Sequence, residues 1–252
     1  MGVGGCALVT GANKGIGYAV ARALGGLGMC VYLGARDERR GLAAARSLGD
    51  DGLDVRFLRL DVTDESGVRL AAKRLDDEVG RLDVLVNNAG VGGGMSPPSA
   101  TATDQVRQVY ETNVFGVVTV TNAMLPLLRR STAGRIVNVS SVIGSLTHAA
   151  AKDDPTGVFP MGVFPTLLEY ATSKAALNAL TVTYANELRG SGILVNAVSP
   201  GFVATDINGN RGTLTPAQGA RLVVRMATLG ADGPTGVFVG ENGTPDGQPL
   251  CW

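Results

Sequence analysis

Short runs of Val, Leu and Ile recur along the chain, each followed by a longer stretch in which apolar residues return every three or four positions. The short runs read as strands at Cys6–Thr10, Cys30–Ala35, Val55–Asp61, Leu82–Asn87, Gly134–Ser140, Ile193–Val198 and Gly236–Gly240. The longer stretches predict helices near Ile16–Leu27, Glu38–Leu48, Glu65–Glu78, Thr103–Leu128 and Leu167–Arg189. This alternation is the rhythm of βαβ units, in which a parallel sheet is buried on both faces by helices. It predicts one doubly wound α/β domain over residues 1–252, with a seven-stranded parallel sheet, right-handed crossovers and ligands at the carboxyl ends of the strands.

One stretch, residues 145–168, interrupts the rhythm before the last predicted helix. It carries Asp153, Asp154, Pro155, Pro160 and Pro165, and the prolines exclude a continuous helix. Within it Pro155-Thr-Gly-Val-Phe159 is echoed by Pro160-Met-Gly-Val-Phe164. Two readings stand for this insert: a surface loop whose phenylalanines tuck onto the domain, or an apolar lid over a substrate.

Charge narrows the choice of partner. The 252 residues hold 22 Lys plus Arg and 22 Asp plus Glu, so no basic stripe points to nucleic acid or an anionic membrane. A small molecule is the expected ligand. Hydrophobic residues at 45% and charged residues at 17% exclude a disordered chain. Cys6, Cys30 and Cys251 are odd in number and lack CxxC spacing, which argues against a disulfide framework or a zinc site. The uncharged stretch Asn113–Leu128 is short for a membrane span, and the N-terminus lacks a basic region, so a cytoplasmic protein is expected.

The chemistry begins where the first predicted strand meets its helix. There the chain reads Thr10-Gly11-Ala12-Asn13-Lys14-Gly15-Ile16-Gly17. Glycines at such a junction let backbone approach a pyrophosphate, which then meets the N–H groups and dipole of the helix N-terminus. A strand before and an amphipathic helix after are the context that a dinucleotide-binding phosphate turn demands, the plain alternative being a merely tight strand-to-helix turn. After the second strand an acidic residue selects NAD and a basic one accommodates the extra phosphate of NADP. Arg36 follows Ala35 there, and Lys14 supplies a second positive charge, which favours NADPH/NADP. The adjacent Asp37 leaves NAD open, and the plain alternative is that Arg36 and Lys14 are solvated charges.

Tyr170 and Lys174 stand four apart in a predicted helix, hence on one face. A lysine ammonium beside a phenol favours the phenolate, which draws the tyrosine pKa down toward working pH and makes Tyr170 a candidate general acid/base. The strand Gly134–Ser140 ends in Ser140-Ser141 at the carboxyl edge, where Ser141 would hydrogen-bond a substrate oxygen or simply cap a helix. The single His148 lacks the Gly-x-Ser-x-Gly elbow of a hydrolase and reads as a loop histidine.

Taken together, Thr10-Gly-x-x-x-Gly15-Ile-Gly17, Asp61-Val62, Asn87-Asn88-Ala89-Gly90, Asn113, Ser141, Tyr170-x-x-x-Lys174 and Pro200-Gly201-x-Val203-x-Thr205 resemble the short-chain dehydrogenase/reductase family. The likeness is greatest to its NADPH-dependent carbonyl reductases. It implies that Asp61 contacts adenine, that Asn88, Ala89 and Gly90 line the cofactor cleft, and that Val203 and Thr205 hold the nicotinamide carboxamide. It further implies a catalytic set of Asn113, Ser141, Tyr170 and Lys174, with Asn113 anchoring a water that links Lys174 to solvent. Ser141, rather than Ser140, matches the family's serine.

The family commonly places that serine about a dozen positions before the tyrosine, whereas 29 separate Ser141 from Tyr170 here. Carbonyl reductases of this branch are similar in carrying an insertion there. Such an insertion obstructs the helix-pairing surface of tetrameric relatives, so a monomer is favoured over a homo-oligomer. The expected reaction is hydride transfer from NADPH to a ketone or aldehyde, with Tyr170 as general acid. Phe159, Met161, Phe164 and Phe202 are candidates for an apolar substrate wall. Two alternatives keep the site: an NADP-dependent alcohol dehydrogenase, or a reductase of imines or enones. A third is an NADP-sensing protein without turnover.

Overall fold

The computed structural model describes residues 4–151, 167–244 and 247–252. Its strands are β1 (Cys6–Thr10), β2 (Cys30–Ala35), β3 (Val55–Arg59), β4 (Val84–Asn87), β5 (Arg135–Val139), β6 (Leu194–Ser199), β7 (Phe238–Gly240) and β8 (Gln248–Pro249). They form one sheet in the order β3-β2-β1-β4-β5-β6-β7-β8. The first seven are parallel, and β8 pairs antiparallel with β7. The expected seven-stranded parallel sheet therefore gains an eighth strand of opposite sense. Two residues, one of them proline, are too few for any alternation to announce.

The α-helices are α1 (Gly15–Gly26), α2 (Glu38–Asp50), α3 (Glu65–Val79), α4 (Thr103–Tyr110), α5 (Gly116–Leu128), α6 (Leu146–Ala149), α7 (Leu168–Glu187) and α8 (Pro216–Ala227). Every residue of β1, β5 and β6 is buried, as a sheet covered on both faces requires. One core packs α1, α2 and α8 on one face, with Leu24, Leu48 and Leu222 at its centre. The other packs α3, α5 and α7 on the opposite face, around Leu75, Met124 and Leu188.

The predicted helix Thr103–Leu128 is two α-helices joined by a π-helical turn at Glu111–Phe115. Asn113, fully buried in that turn, bonds the backbone of Val91 and the hydroxyl of Ser173, and a wider turn aims it there. Helix α8 went unpredicted, although Thr215 caps it, Pro216 opens it and Gln218 closes the capping box. In the expected 145–168 insert, the described part opens with α6, capped by Ser145. The proline echo and Phe159, Met161 and Phe164 lie outside the described residues.

Arg135 is fully buried at the start of β5. Its guanidinium donates to the carbonyls of Leu229, Gly230, Gly134 and Gly192, at 2.7–3.3 Å. Two of these carbonyls lie just beyond the C-terminus of α8, where the helix dipole is negative. The side chain thus bolts the sheet to α8 without a carboxylate, and burial lowers its pKa.

Candidate active site

Strand order reverses direction between β1 and β4, and the crevice above that point holds the phosphate turn. Gly11 and Gly15 both have positive φ, +62° and +58°, which side chains rarely adopt. A Cβ on Gly11 would lie 2.9 Å from Ala89 Cα, and one on Gly17 would lie 2.4 Å from Asn88 Nδ2. Backbone therefore packs where side chains would stand. Asn88 holds the turn from below, donating from Nδ2 to the carbonyls of Thr10 and Gly11 at 2.8 and 3.2 Å. Thr10 Oγ1 reciprocates by accepting the N–H groups of Asn88 and Ala89, both at 2.9 Å.

Helix α1 starts after Lys14, and no side chain caps its first N–H groups. An uncapped N-terminus behind a glycine cradle suits a phosphate. Beside it lies an open depression of about 650 Å³, lined by Asn13, Lys14, Tyr18, Arg40, Ser47 and Asp206 among others. Arg36 is exposed at the end of β2. Asp37, the acid that kept NAD open, is engaged: its Oδ1 accepts the Arg40 N–H at 2.9 Å and caps α2. Lys14 is ion-paired with Asp206. Arg40 and Asp206 were absent from the sequence reading. Arg40 lies in the first turn of α2, in the Arg-rich stretch that follows Arg36, which offers a signal, whereas Asp206 comes from a distant segment.

That segment, after β6, reaches across the crevice. The Thr205 methyl is the nearest atom to a Cβ built on Gly15, at 3.4 Å, and the Ile207 carbonyl is 3.5 Å from one built on Gly92. Gly201 has φ +83° and turns the chain after Pro200. The Val203 side chain is buried against Gly219 of α8, and its carbonyl accepts from Asn208. Phe202 is half-buried. Asp61 Oδ1 accepts from the Thr63 N–H and hydroxyl at 3.0 and 2.8 Å, and the adjacent Val62 is buried against Gly116.

Ser141, Tyr170 and Lys174 meet at the carboxyl edge of β5. Ser141 shares a hydrogen bond with the Tyr170 hydroxyl. Ser140 points elsewhere, donating to Asn178 at 2.6 Å. Burial pushes the Tyr170 pKa up to about 12, and the Ser141 hydrogen bond pulls it the other way. Lys174 Nζ lies 5.6 Å from the centre of the Tyr170 ring and donates to the Val139 carbonyl at 2.8 Å. Desolvation brings its own pKa down to about 8. Desolvation, and not Lys174, dominates the Tyr170 pKa here, and the phenol stays protonated at neutral pH.

Asn113 brings the neighbouring loop to this group. Its Oδ1 accepts the Val91 N–H and its Nδ2 donates to the Val91 carbonyl, both at 2.9 Å, and Nδ2 also reaches Ser173 Oγ at 3.0 Å. The side chain thus clamps the loop after β4. A Cβ on Gly90 would fall 3.4 Å from Asn113 Oδ1 and 3.7 Å from Lys174 Nζ, so this glycine keeps the loop close to the lysine.

Glu169, missed in the sequence, is 1% exposed beside Tyr170. Its Oε1 accepts the Gly94 N–H at 2.6 Å, while Oε2 is buried without a partner among the described residues. His148 pairs through Nδ1 with Ser145 Oγ at 2.6 Å. Among the described residues no group of three or more His, Cys, Asp or Glu is placed to hold a metal ion. None of their helices is long and apolar enough to cross a membrane.

Comparison with known proteins agrees with this geometry. The short chain dehydrogenase profile matches residues 5–152 and 160–214. Human carbonyl reductase (NADPH) 1 is 36% identical, with 93% of this chain and 95% of that protein aligned. Salutaridine reductase from Papaver somniferum superposes with a TM-score of 0.81 at 33% identity, covering 93% of this chain and 99% of the relative. The NADPH-bound carbonyl reductase from chicken fatty liver gives a TM-score of 0.82 at 26% identity, covering 98% of each chain. The family match takes in β1 to β6, the phosphate turn and the Tyr170 helix, and the chain belongs to the short-chain dehydrogenase/reductase family.

Proposed function

We propose that the protein is an NADPH-dependent carbonyl reductase acting on a ketone or aldehyde of small to medium size. The observation that carries this reading is the Tyr170 hydroxyl, held protonated by burial and hydrogen-bonded to Ser141 at the ligand edge of the sheet. A protonated phenol is a proton donor, which reduction of a carbonyl needs, whereas alcohol oxidation needs the phenolate.

The residues of the crevice fit the dinucleotide. Gly11, Gly15 and Gly17, with Asn13 and Ile16, form a cradle that side chains would fill, and the uncapped start of α1 suits the pyrophosphate. Lys14, Arg36 and Arg40 offer cationic groups for the further phosphate of NADP, and Asp37 is already engaged on Arg40. Asp61 and Val62 are assigned to the adenine, Asn88, Ala89 and Gly90 to the cleft wall, and Pro200, Gly201, Val203 and Thr205 to the nicotinamide end. Bound there, NADPH supplies the hydride.

In this mechanism Ser141 donates to the substrate oxygen and fixes its direction. Tyr170 gives its proton to that oxygen as negative charge develops there, and Ser141 steadies the phenolate that remains. Lys174, charged and desolvated, opposes the growing phenolate charge and contributes to holding the nicotinamide ribose. Asn113 fixes the loop that forms the floor below Lys174. Phe202 supplies part of an apolar wall. A monomer is the proposed working unit, which light scattering checks.

The test follows NADPH consumption against a panel of ketones, aldehydes, quinones and cyclic imines, with NADH in parallel. Turnover with NADPH, little with NADH, and a loss of about a thousandfold or more in Tyr170→Phe with cofactor affinity intact are expected. Near-normal turnover in that variant removes Tyr170 from the acid role. Cofactor binding without turnover on any member favours the sensor.

A further inference from the structure

Cys6 and Cys30 are 24 positions apart in sequence, but the β1–β2 ladder pairs them directly, each as the first residue of its strand. Register partners in a parallel sheet project from the same side, with backbones about 4.8 Å apart. That falls inside the Cα separation of roughly 4.4–6.8 Å that a disulfide spans. The two thiols share a hydrogen bond. Cys6 is buried in the core on the α3, α5 and α7 face, and Cys30 packs against that core while remaining partly exposed. The pair lies at the amino edge of the sheet, opposite the crevice, and the reductase mechanism does not use it.

We propose that Cys6 and Cys30 form a hydroperoxide-reactive dithiol, a modification site whose product is an intramolecular disulfide. Cys30 is the attacking group, because it is the accessible one and its thiolate accepts the hydrogen bond from Cys6. Arg56 favours that thiolate, while Asp54 opposes it. The Cys6 thiol is pushed up by that same hydrogen bond, by burial and by Asp83, and so keeps its proton.

The Cys30 thiolate attacks one peroxide oxygen. The S–O bond forms, the O–O bond breaks, and the departing oxygen takes a proton from water. Cys30 is now a sulfenic acid and the peroxide has been reduced to water or an alcohol. Cys6 sulfur then attacks Cys30 sulfur. The S–S bond forms, the S–O bond breaks, and hydroxide leaves as water with the Cys6 proton. The hydroperoxide is the oxidant, and a dithiol reductant reverses the change.

Tryptic digestion separates the cysteines, because cleavage after Lys14, Arg22 and Arg36 places Cys6 in Met1–Lys14 and Cys30 in Ala23–Arg36. The full-length reduced protein is treated with hydrogen peroxide, blocked with an alkylating agent under denaturing conditions and mapped without reductant. The two peptides are expected as one linked species, lighter by two hydrogens than their sum, at least tenfold above the untreated sample and abolished by dithiothreitol. In Cys6→Ser, dimedone should label Cys30; in Cys30→Ser, it should leave Cys6 unlabelled. Full alkylation of Cys6 and Cys30 after peroxide treatment, or linkage of either to Cys251 in place of each other, overturns the proposal. The wild-type map decides the matter even where a variant folds poorly.

Discussion

Alanine at Gly17 and at Gly26 adds the same methyl group to the same helix, yet the two substitutions should act in opposite directions. At Gly17 the new Cβ lies 2.4 Å from Asn88 Nδ2, 2.8 Å from the Gly11 carbonyl oxygen and 2.9 Å from Ala12 Cα. Two of these neighbours are backbone and cannot swing aside. If Asn88 gives way, it loses its bonds to the Thr10 and Gly11 carbonyls, at about 1 kcal/mol each. Residual crowding adds about 1–3 kcal/mol, and the better helix propensity of alanine returns about 1 kcal/mol. The net expectation is a loss of about 2–4 kcal/mol. At Gly26 nothing lies within 4 Å of the new atom, so alanine should gain about 0.4–1 kcal/mol. Urea unfolding of the three proteins measures both, with equal m-values taken as the sign that only stability has changed. NADPH titration by fluorescence should show weaker binding for Gly17→Ala alone. Equal or greater stability of Gly17→Ala than wild type would refute the steric reasoning, whatever happens to activity.

Four further expectations concern the site and its support. Lys174 sits near pKa 8 in the fold against about 10.4 in an unfolded chain, so between these values the unfolded state binds more protons and stability rises with pH, by about 3 kcal/mol in total. Lys174→Met should flatten that rise, read from urea midpoints between about pH 7.5 and 9, below the range where Tyr170 begins to act in the opposite sense. With Tyr170 held near 12, kcat/KM for reduction should be independent of its titration from about pH 6 to 9, while the reverse oxidation should climb about tenfold per pH unit. Arg135→Met takes the guanidinium donor from four carbonyls, of which Gly134 and Gly230 keep a backbone partner, and should cost about 3 kcal/mol, measured by denaturant unfolding. Gly93→Ala places a Cβ 2.1 Å from Glu169 Cγ and, by disturbing the residue beside Tyr170, should lower kcat about tenfold or more while leaving the NADPH Kd unchanged.

Local signals carried much of this architecture. The strands β1 and β2 are contiguous apolar runs, and the predicted bounds of both match the structure. Tyr170, Lys174 and Ser141 were recognisable because a helical repeat and a strand end bring them together with few assumptions. The π turn at Asn113 was invisible, because it arises from contacts to Val91 and Ser173 that belong to other elements. Glu169 reads as an ordinary first-turn acid of a helix until Gly93 and Gly94 are seen packed over it. Asp206 meets Lys14 across 192 positions, and no local pattern encodes such a pairing. The neighbours Cys6 and Cys30 were likewise hidden, since their adjacency follows from the register of β1 with β2. Helix α8 was legible in Thr215, Pro216 and Gln218.

An open sheet ends in two strands whose outer N–H and C=O groups could recruit a strand from another molecule. Here one border is β3, where Arg56 and Arg59 place charge along the rim. The other is β8, two residues long, whose Pro249 has no N–H to donate. It pairs with β7 through Val239 and Gly240, so the longer parallel strands never meet solvent on that side. The short reversed strand that ends the sheet thereby works as a guard against self-association through sheet edges, a hazard for any chain whose interior is this rich in Val and Leu.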